Sequence, residues 1–280
     1  MAFDHKKNIR MIALDLDDTT LRTDKSMAPR TRDALEKAAG RGVIVVVSTG
    51  RVLNSLPDNV KSVSGVRFVI NSNGACVNDL ETGETLYRNN LDPEKVIRIA
   101  DLLAGYDFPV EVFTGGEAYM NESDYNKIKA DPSKYRSAEY ILWSRRPVPD
   151  VLAVLRRNAD IIENISVNFR TPEEKTMMRG LLEEIGGITV TSSVYYNLEI
   201  GGAGTSKAEA LRVLMKRFGI SADELMACGD SPNDAAMIKM AGIGVAVANA
   251  NEKIKATADH VTDSNDEDGV AKAIEKFVLT

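Results

Sequence analysis

The chain has 280 residues, enough for two domains of ordinary size or one large one. Hydrophobic residues make up 44% of it and charged residues 27%, with a mean hydropathy of −0.19, the balance of a soluble globular protein with a substantial core. The net charge of −6, with no Lys/Arg block, argues against nucleic acid; no run approaches the about 20 apolar residues of a membrane span, which argues against a membrane partner. The N-terminal segment M-A-F-D-H-K-K-N-I-R has no apolar stretch of the kind a secretory leader carries. The two cysteines, Cys76 and Cys228, sit beside apolar segments and read as buried free thiols in a reducing, cytoplasmic setting.

The first informative stretch is M-I-A-L-D-L-D-D-T-T-L, residues 11–21. Four apolar residues without interleaved polar ones read as a strand buried on both faces, and it stops at Asp15. Asp15 and Asp17, two apart in extended chain, can face one small volume, where like charges need a cation or a proton between them. An Asp-rich turn capping a strand is the plain alternative. Pro29 suits the first turn of a helix through Ala34, Leu35 and Ala38, ended by Gly40 or Gly42. A second buried strand, 43–47, stops at Ser48-Thr49-Gly50-Arg51, and a third, 68–70, stops at Asn71-Ser72-Asn73-Gly74. In open α/β sheets, ligands bind outside the carboxyl ends of the strands, so polar groups collected at three such ends point to one site.

From about residue 87 the texture becomes α+β. A helix opens at Asp92-Pro93 with Val96, Ile97, Ala100 and Leu103 on one face, and 110–113 alternates toward 118–120 across Gly115-Gly116 as a hairpin would. A polar, tyrosine-bearing connector is expected over 123–140, then a helix at 149–157, a strand at 165–169, a helix at 173–185 and a strand at 188–191. The expectation is an inserted domain over 87–191 in a core formed by 1–86 and 192–280. Buried parallel texture returns with Leu198-Glu199-Ile200 and a glycine-rich turn to Lys207, which opens a helix carrying Leu211, Leu214 and Phe218. A cation in a first helical turn opposes the helix dipole, and an anion beside it would explain it. Ser221 with Glu224 reads as a capping box. The strand 225–228 stops at Gly229-Asp230-Ser231-Pro232-Asn233-Asp234; a helix at 235–240, a strand at 243–247 and a terminal helix through Ile274 and Phe277 follow.

D-L-D-D-T at Asp15, S-T-G-R at Thr49, Lys207 and G-D-S-P-N-D at Asp230 resemble the four ordered motifs of the haloacid dehalogenase superfamily. With S-N-G-A at Asn73, G-V-A-V-A-N-A and E-D-G-V-A, the chain is similar to its Cof-type branch, whose large α+β cap lies between the second and third motifs. Asp18 and Thr20 stand where Gly and Leu are frequent, and Ser48 where Ala is. The resemblance implies an α/β, Rossmann-like, doubly wound and mostly parallel core with an inserted α+β cap. It also implies a Mg²⁺-dependent phosphatase acting on small-molecule phosphate esters, as a monomer or homodimer.

The roles follow from the resemblance and from the chemistry of a phosphate dianion, whose charge must be neutralised before a carboxylate can attack it. Asp15 is the expected nucleophile and Asp17 the acid, then base. Mg²⁺ is expected on the Asp15 side chain, the Asp17 carbonyl and Asp230, with Asn233 and Asp234 orienting the ligands. Thr49, Gly50 and Lys207 are expected to hold phosphoryl oxygens, with Arg51, Asn73 and Asn233 as helpers; a structural role for Arg51 is the alternative. The insert is expected to act as a mobile lid that selects the substrate. His5 and His260 read as structural or exposed, Cys228 as core packing, and Trp143 as cap core or substrate wall. A phosphomutase, or a non-catalytic phosphoacceptor of the receiver kind, would share the grouped aspartates and lysine.

Overall fold

The computed structural model describes residues 8–135 and 138–280, so His5 lies outside the described residues. They divide into two compact units: residues up to Gly50 with Leu56–Tyr87 and Ser206–Thr280, and Arg51–Ser55 with Arg88–Thr205.

The first unit is built on β1 (Met11–Leu14), β2 (Ile44–Ser48), β3 (Val66–Asn71), β4 (Cys76–Asp79) and β5 (Thr85–Arg88). The chain then forms β6 (Val110–Thr114), β7 (Glu117–Asn121), β8 (Arg145–Val148), β9 (Ile162–Asn168), β10 (Ile188–Thr191) and β11 (Asn197–Gly202). It ends with β12 (Leu225–Gly229), β13 (Ile243–Ala246) and β14 (His260–Val261). The first sheet has the order β14-β13-β12-β1-β2-β3-β4-β5. Pairings from β14 through β3 are parallel, and β3 with β4 is antiparallel. This is the expected α/β class with a mostly parallel core.

Every residue of β1 is buried, which is why the strand reads as an uninterrupted apolar run. Met11 and Ala13 join Val46, Phe68 and Ile70 in a cluster with Ala208, Leu211, Leu214 and Met215 of the helix Lys207–Phe218. That packing brings the start of this helix beside the carboxyl end of β1.

The second unit carries the other sheet, ordered β10-β11-β9-β6-β7-β8, with one parallel pair, β7 and β8. Its strands alternate. Val110, Val112, Ile165, Val167, Leu198 and Ile200 face a core shared with the helices Pro93–Leu103, Val151–Arg157 and Pro172–Glu183. The strand at Leu198–Ile200, expected in the first domain, therefore belongs to this sheet, pairing β9 and β10. Its apolar residues alternate with Asn197 and Glu199, the pattern of a strand with one face on the core. The expected connector 123–140 is instead partly helical, with Glu122–Ala130 and the start of Ala138–Ser144. Only Ile128 of the first and Ala138 of the second are buried, so neither shows a strong apolar stripe.

Among the described residues, no helix is long and apolar enough to cross a membrane. Trp143 is 62% exposed, which removes it from the core of its unit. His260 opens β14, its ring edge-on to Phe277 at 5.2 Å, and burial lowers its pKa.

Candidate active site

Four strand ends of the first unit, those of β1, β2, β3 and β12, supply the site. At the end of β1, the Asp15 amide donates to the Cys228 carbonyl at 3.0 Å, which fixes the first acid against β12. Residues 16–20 then form a tight turn in which Asp18 takes φ +59°, and the Thr20 hydroxyl closes it on the Asp15 carbonyl at 2.5 Å. Asp15 is buried and Asp17 half-exposed, so the two acids, only two residues apart, meet different surroundings.

Lys207 is the first residue of its helix and is 1% exposed. Its Nζ donates to Asp15 Oδ1 at 2.6 Å and to Asp234 Oδ1 at 2.7 Å. The anion that its place in a first turn called for is thus a pair of the chain's own carboxylates. Burial works against the Lys207 ammonium, but Asp15 and Asp234 outweigh it and hold its pKa above the ordinary value. For Asp15, burial dominates over Lys207, and its carboxyl is raised well above the usual range. The pair costs desolvation and fixes two acids from distant parts of the chain in one place.

Asp234 is fully buried and has both oxygens engaged. Oδ1 meets Lys207, while Oδ2 accepts the backbone amides of Asp230 and Ser231, each at 3.1 Å. Gly229 makes this turn possible, since a Cβ there would fall 2.5 Å from the Asp234 Cβ. Asp230 accepts the Thr19 hydroxyl on Oδ1 and the Ser231 hydroxyl on Oδ2, each at 2.9 Å. Burial, and then the neighbouring Asp234 charge, push its pKa up to about 6.

The loop after β3 runs through the left-handed region at Ser72, Asn73 and Gly74. Gly74 needs to be glycine, because a Cβ would lie 2.2 Å from the Ser206 carbonyl oxygen, just ahead of Lys207. The Asn73 amide donates to the Thr49 carbonyl at 3.1 Å, and the Asn73 Oδ1 accepts Asn233 Nδ2 at 2.9 Å. A Cβ on Gly50 would sit 3.1 Å from that same Oδ1. Thr49, Gly50, Asn73 and Asn233 are therefore one neighbourhood. Arg51 groups with the second unit, its guanidinium 4.2 Å above the Tyr140 ring and Nη1 donating to the Ser55 carbonyl at 3.2 Å.

One ligand oxygen from each of Asp15, Asp230 and Asp234 lies within 4.8 Å of the other two, and this group could hold a metal ion. All the donors are hard oxygens, as a small divalent cation prefers. The buried Asn233 Oδ1 has no hydrogen-bond partner, a further lone pair for a metal-bound water or a substrate. With both oxygens committed, Asp234 is better suited to orienting its neighbours than to direct ligation. Cys228 is no rival nucleophile, because burial, with Asp234 adding to it, pushes its thiol up to about 12.

The haloacid dehalogenase-like hydrolase family matches residues 12–274, nearly the whole chain and all of the residues just described. The chain belongs to this family. The hydrolase is 31% identical to the phosphatase YwpJ of Bacillus subtilis, over 94% of its own length and 98% of that protein's. It is 30% identical to YcsE of the same organism, a 5-amino-6-(5-phospho-D-ribitylamino)uracil phosphatase, over 97% of both chains. A haloacid dehalogenase-like hydrolase from B. subtilis superposes with a TM-score of 0.82 at 31% identity, covering 95% of this chain and 99% of that one. The resemblance drawn from the four motifs is borne out.

Lys25 and Thr19 are site neighbours that motif reading gave no role. Thr19 is inside the D-L-D-D-T signature and bonds Asp230. Lys25 stands in a polar turn with no pattern to mark it, and its Nζ lies 3.3 Å from Asp17 Oδ1.

Proposed function

We propose that the hydrolase is a Mg²⁺-dependent phosphatase of small-molecule phosphate monoesters, sugar phosphates or related metabolites, working through an aspartyl-phosphate on Asp15. The observation that carries this is the buried Lys207 bridge joining Asp15 to Asp234, beside an Asp230 carboxyl raised to about 6. An excess of buried acid over base needs a cation, and a phosphate dianion needs it more.

Asp15, Asp230 and the Asp17 carbonyl would hold the ion, with Asn233 and Asp234 orienting ligands and waters. Bound there, Mg²⁺ supplies positive charge that lets a carboxylate and a phosphate dianion approach. Asp15 attacks phosphorus, and the ester P–O bond breaks as Asp17 gives its proton to the leaving oxygen. Asp17, now a carboxylate, takes a proton from water as that water attacks the acyl phosphate, freeing phosphate and restoring Asp15. Lys207 holds the nucleophile and offsets charge on the phosphoryl oxygens, which Thr49, Gly50 and Asn73 receive. Two buried free cysteines support a reducing, cytoplasmic setting.

All the residues given a chemical role lie in the first unit, and we assign the choice among esters to the second. Substitutions of surface residues over 111–140 should then change relative rates across a panel of esters, and equal scaling of all substrates would contradict this. The names of relatives such as YcsE put ribityl phosphates on the panel beside sugar phosphates. Purified protein with Mg²⁺ should release phosphate from at least one such ester; EDTA or Asp15→Asn should abolish it. Turnover surviving either would overturn the reading, as would release that requires a sugar bisphosphate activator.

A further inference from the structure

Lys25 sits in the turn that follows the acid loop, with its backbone clamped from several sides. The Arg22 amide donates to the Ser26 carbonyl at 2.9 Å, and the Lys25 amide to the Arg22 carbonyl at 2.8 Å. Thr23 is fixed on Asp266 by both its amide and its hydroxyl, and Asn59 Nδ2 donates to the Lys25 carbonyl at 3.2 Å. Within this clamp Lys25 takes φ +66°, a left-handed conformation that glycine adopts freely and a lysine adopts against strain.

The side chain uses that conformation to reach back across the loop. Its Nζ lies 3.3 Å from Asp17 Oδ1 and 3.1 Å from Asp18 Oδ1. Asp18 is also left-handed, at φ +59°, and its carbonyl accepts Asn249 Nδ2 at 2.7 Å. The side chains of Lys25 and Asp17 are 34% and 37% exposed, and ion pairs that open to water contribute little to stability. Lys25, held left-handed against strain, spends its ammonium on two partly exposed carboxylates, Asp18 and Asp17; pairs this open are poorly explained by folding and well explained by a task at Asp17.

We propose that Lys25 is a positioning residue for Asp17: its ammonium, shared with Asp18, holds the Asp17 carboxyl where it can pass a proton to and from the leaving oxygen. This rests on the acid–base role proposed for Asp17. No proton leaves Lys25. Asp17 gives its proton to the ester oxygen as the P–O bond breaks and regains one from water, while the ammonium keeps the emptied carboxylate in place.

The test uses leaving groups of different basicity. An alkyl phosphate needs its leaving oxygen protonated, whereas p-nitrophenolate leaves without help. Lys25→Gly suits φ +66° better than lysine and removes the ammonium, so its Tm should match or exceed that of the unmodified protein. In single-turnover measurements it should slow cleavage of an alkyl phosphate about tenfold more than that of p-nitrophenyl phosphate, a fraction of what a whole acid–base group supplies. Lys25→Arg should recover part of the loss. An equal fall on both substrates, a change in KM alone, or no change would overturn the proposal; should Lys25→Gly fail to fold, Lys25→Met is read in the same way. Asp17→Asn separates the two levels. If it shows no selective loss on the alkyl ester, the acid–base reading itself fails; if it does and Lys25→Gly does not, only the positioning role falls.

Discussion

Replacing Lys207 by methionine keeps the length of the side chain and removes the charge that Asp15 and Asp234 share. Both contacts are short, 2.6 and 2.7 Å, and all three side chains are buried, so neither acid can turn to water for compensation. Removing one partner from a buried ion pair costs about 3–5 kcal/mol, because an uncompensated charge stays behind. At about 2–4 °C per kcal/mol for a domain of this size, the metal-free Lys207→Met protein should melt about 6–20 °C lower at pH 8. The loss should shrink in acid. Without the ammonium, the folded-state pKa of Asp15 rises further above its unfolded value, so the folded state binds protons more tightly. Stability then falls as pH rises from about 4 through that raised value, and the gap to the unmodified protein narrows toward pH 5. Lys207 itself contributes no slope in this window, since its raised pKa places any loss above its ordinary value of 10.5. Thermal unfolding in EDTA at pH 5 and pH 8, with Asp15→Asn added to Lys207→Met as a second variant, tests the account. The second substitution should recover part of the loss, as expected for groups in contact. A single variant melting within a degree of the parent at pH 8 would refute the claim that the bridge holds buried charge.

Gly74→Ala adds a methyl that would meet the Ser206 carbonyl at 2.2 Å, at a residue with φ +100°. It should cost about 1–3 kcal/mol and lower turnover more than affinity, because the displaced segment carries Lys207; a fully active variant would show that this loop does not set the lysine. Mg²⁺ at one hundred times its Kd should stabilise the protein by about 2.7 kcal/mol, read as a concentration-dependent rise in Tm that Asp230→Asn abolishes. A rise that persists in Asp230→Asn would move the ion elsewhere.

The parts of the fold legible in the sequence are those whose burial is simplest. β1, β2, β12, β13 and the 68–70 part of β3 are covered on both sides and so appear as apolar runs, and their ends carry the motif residues. β5, at the sheet's edge, and β4 beside it offer no such run: C-V-N-D and T-L-Y-R mix polar and apolar residues. β11 was readable from its period of two, Leu198 and Ile200 inward, but its place just before the glycine-rich turn to Lys207 made it look like a return to the buried parallel strands. The helix Glu122–Ala130 buries one side chain, too little to print a stripe. At the site, motif spacing marked Asp15, Asp17, Lys207 and Asp230. It could not show that Asp234 shares Lys207 with Asp15, because that contact joins residues 27 and 192 positions from the lysine. Nor could it mark Lys25, whose approach to Asp17 depends on a left-handed turn rather than on any periodicity.

In the proposed mechanism Asp15 carries the phosphoryl group. In Asp17→Asn the first step can still run with p-nitrophenyl phosphate, whose leaving group needs no proton, while the second loses its base. Intact-mass and peptide mass spectrometry after mixing this variant with p-nitrophenyl phosphate and Mg²⁺ should find one phosphoryl group on the peptide containing Asp15, released by hydroxylamine as an acyl phosphate is. A phosphoryl group on another residue, or none in a variant that still frees p-nitrophenol in a stoichiometric burst, would contradict the account.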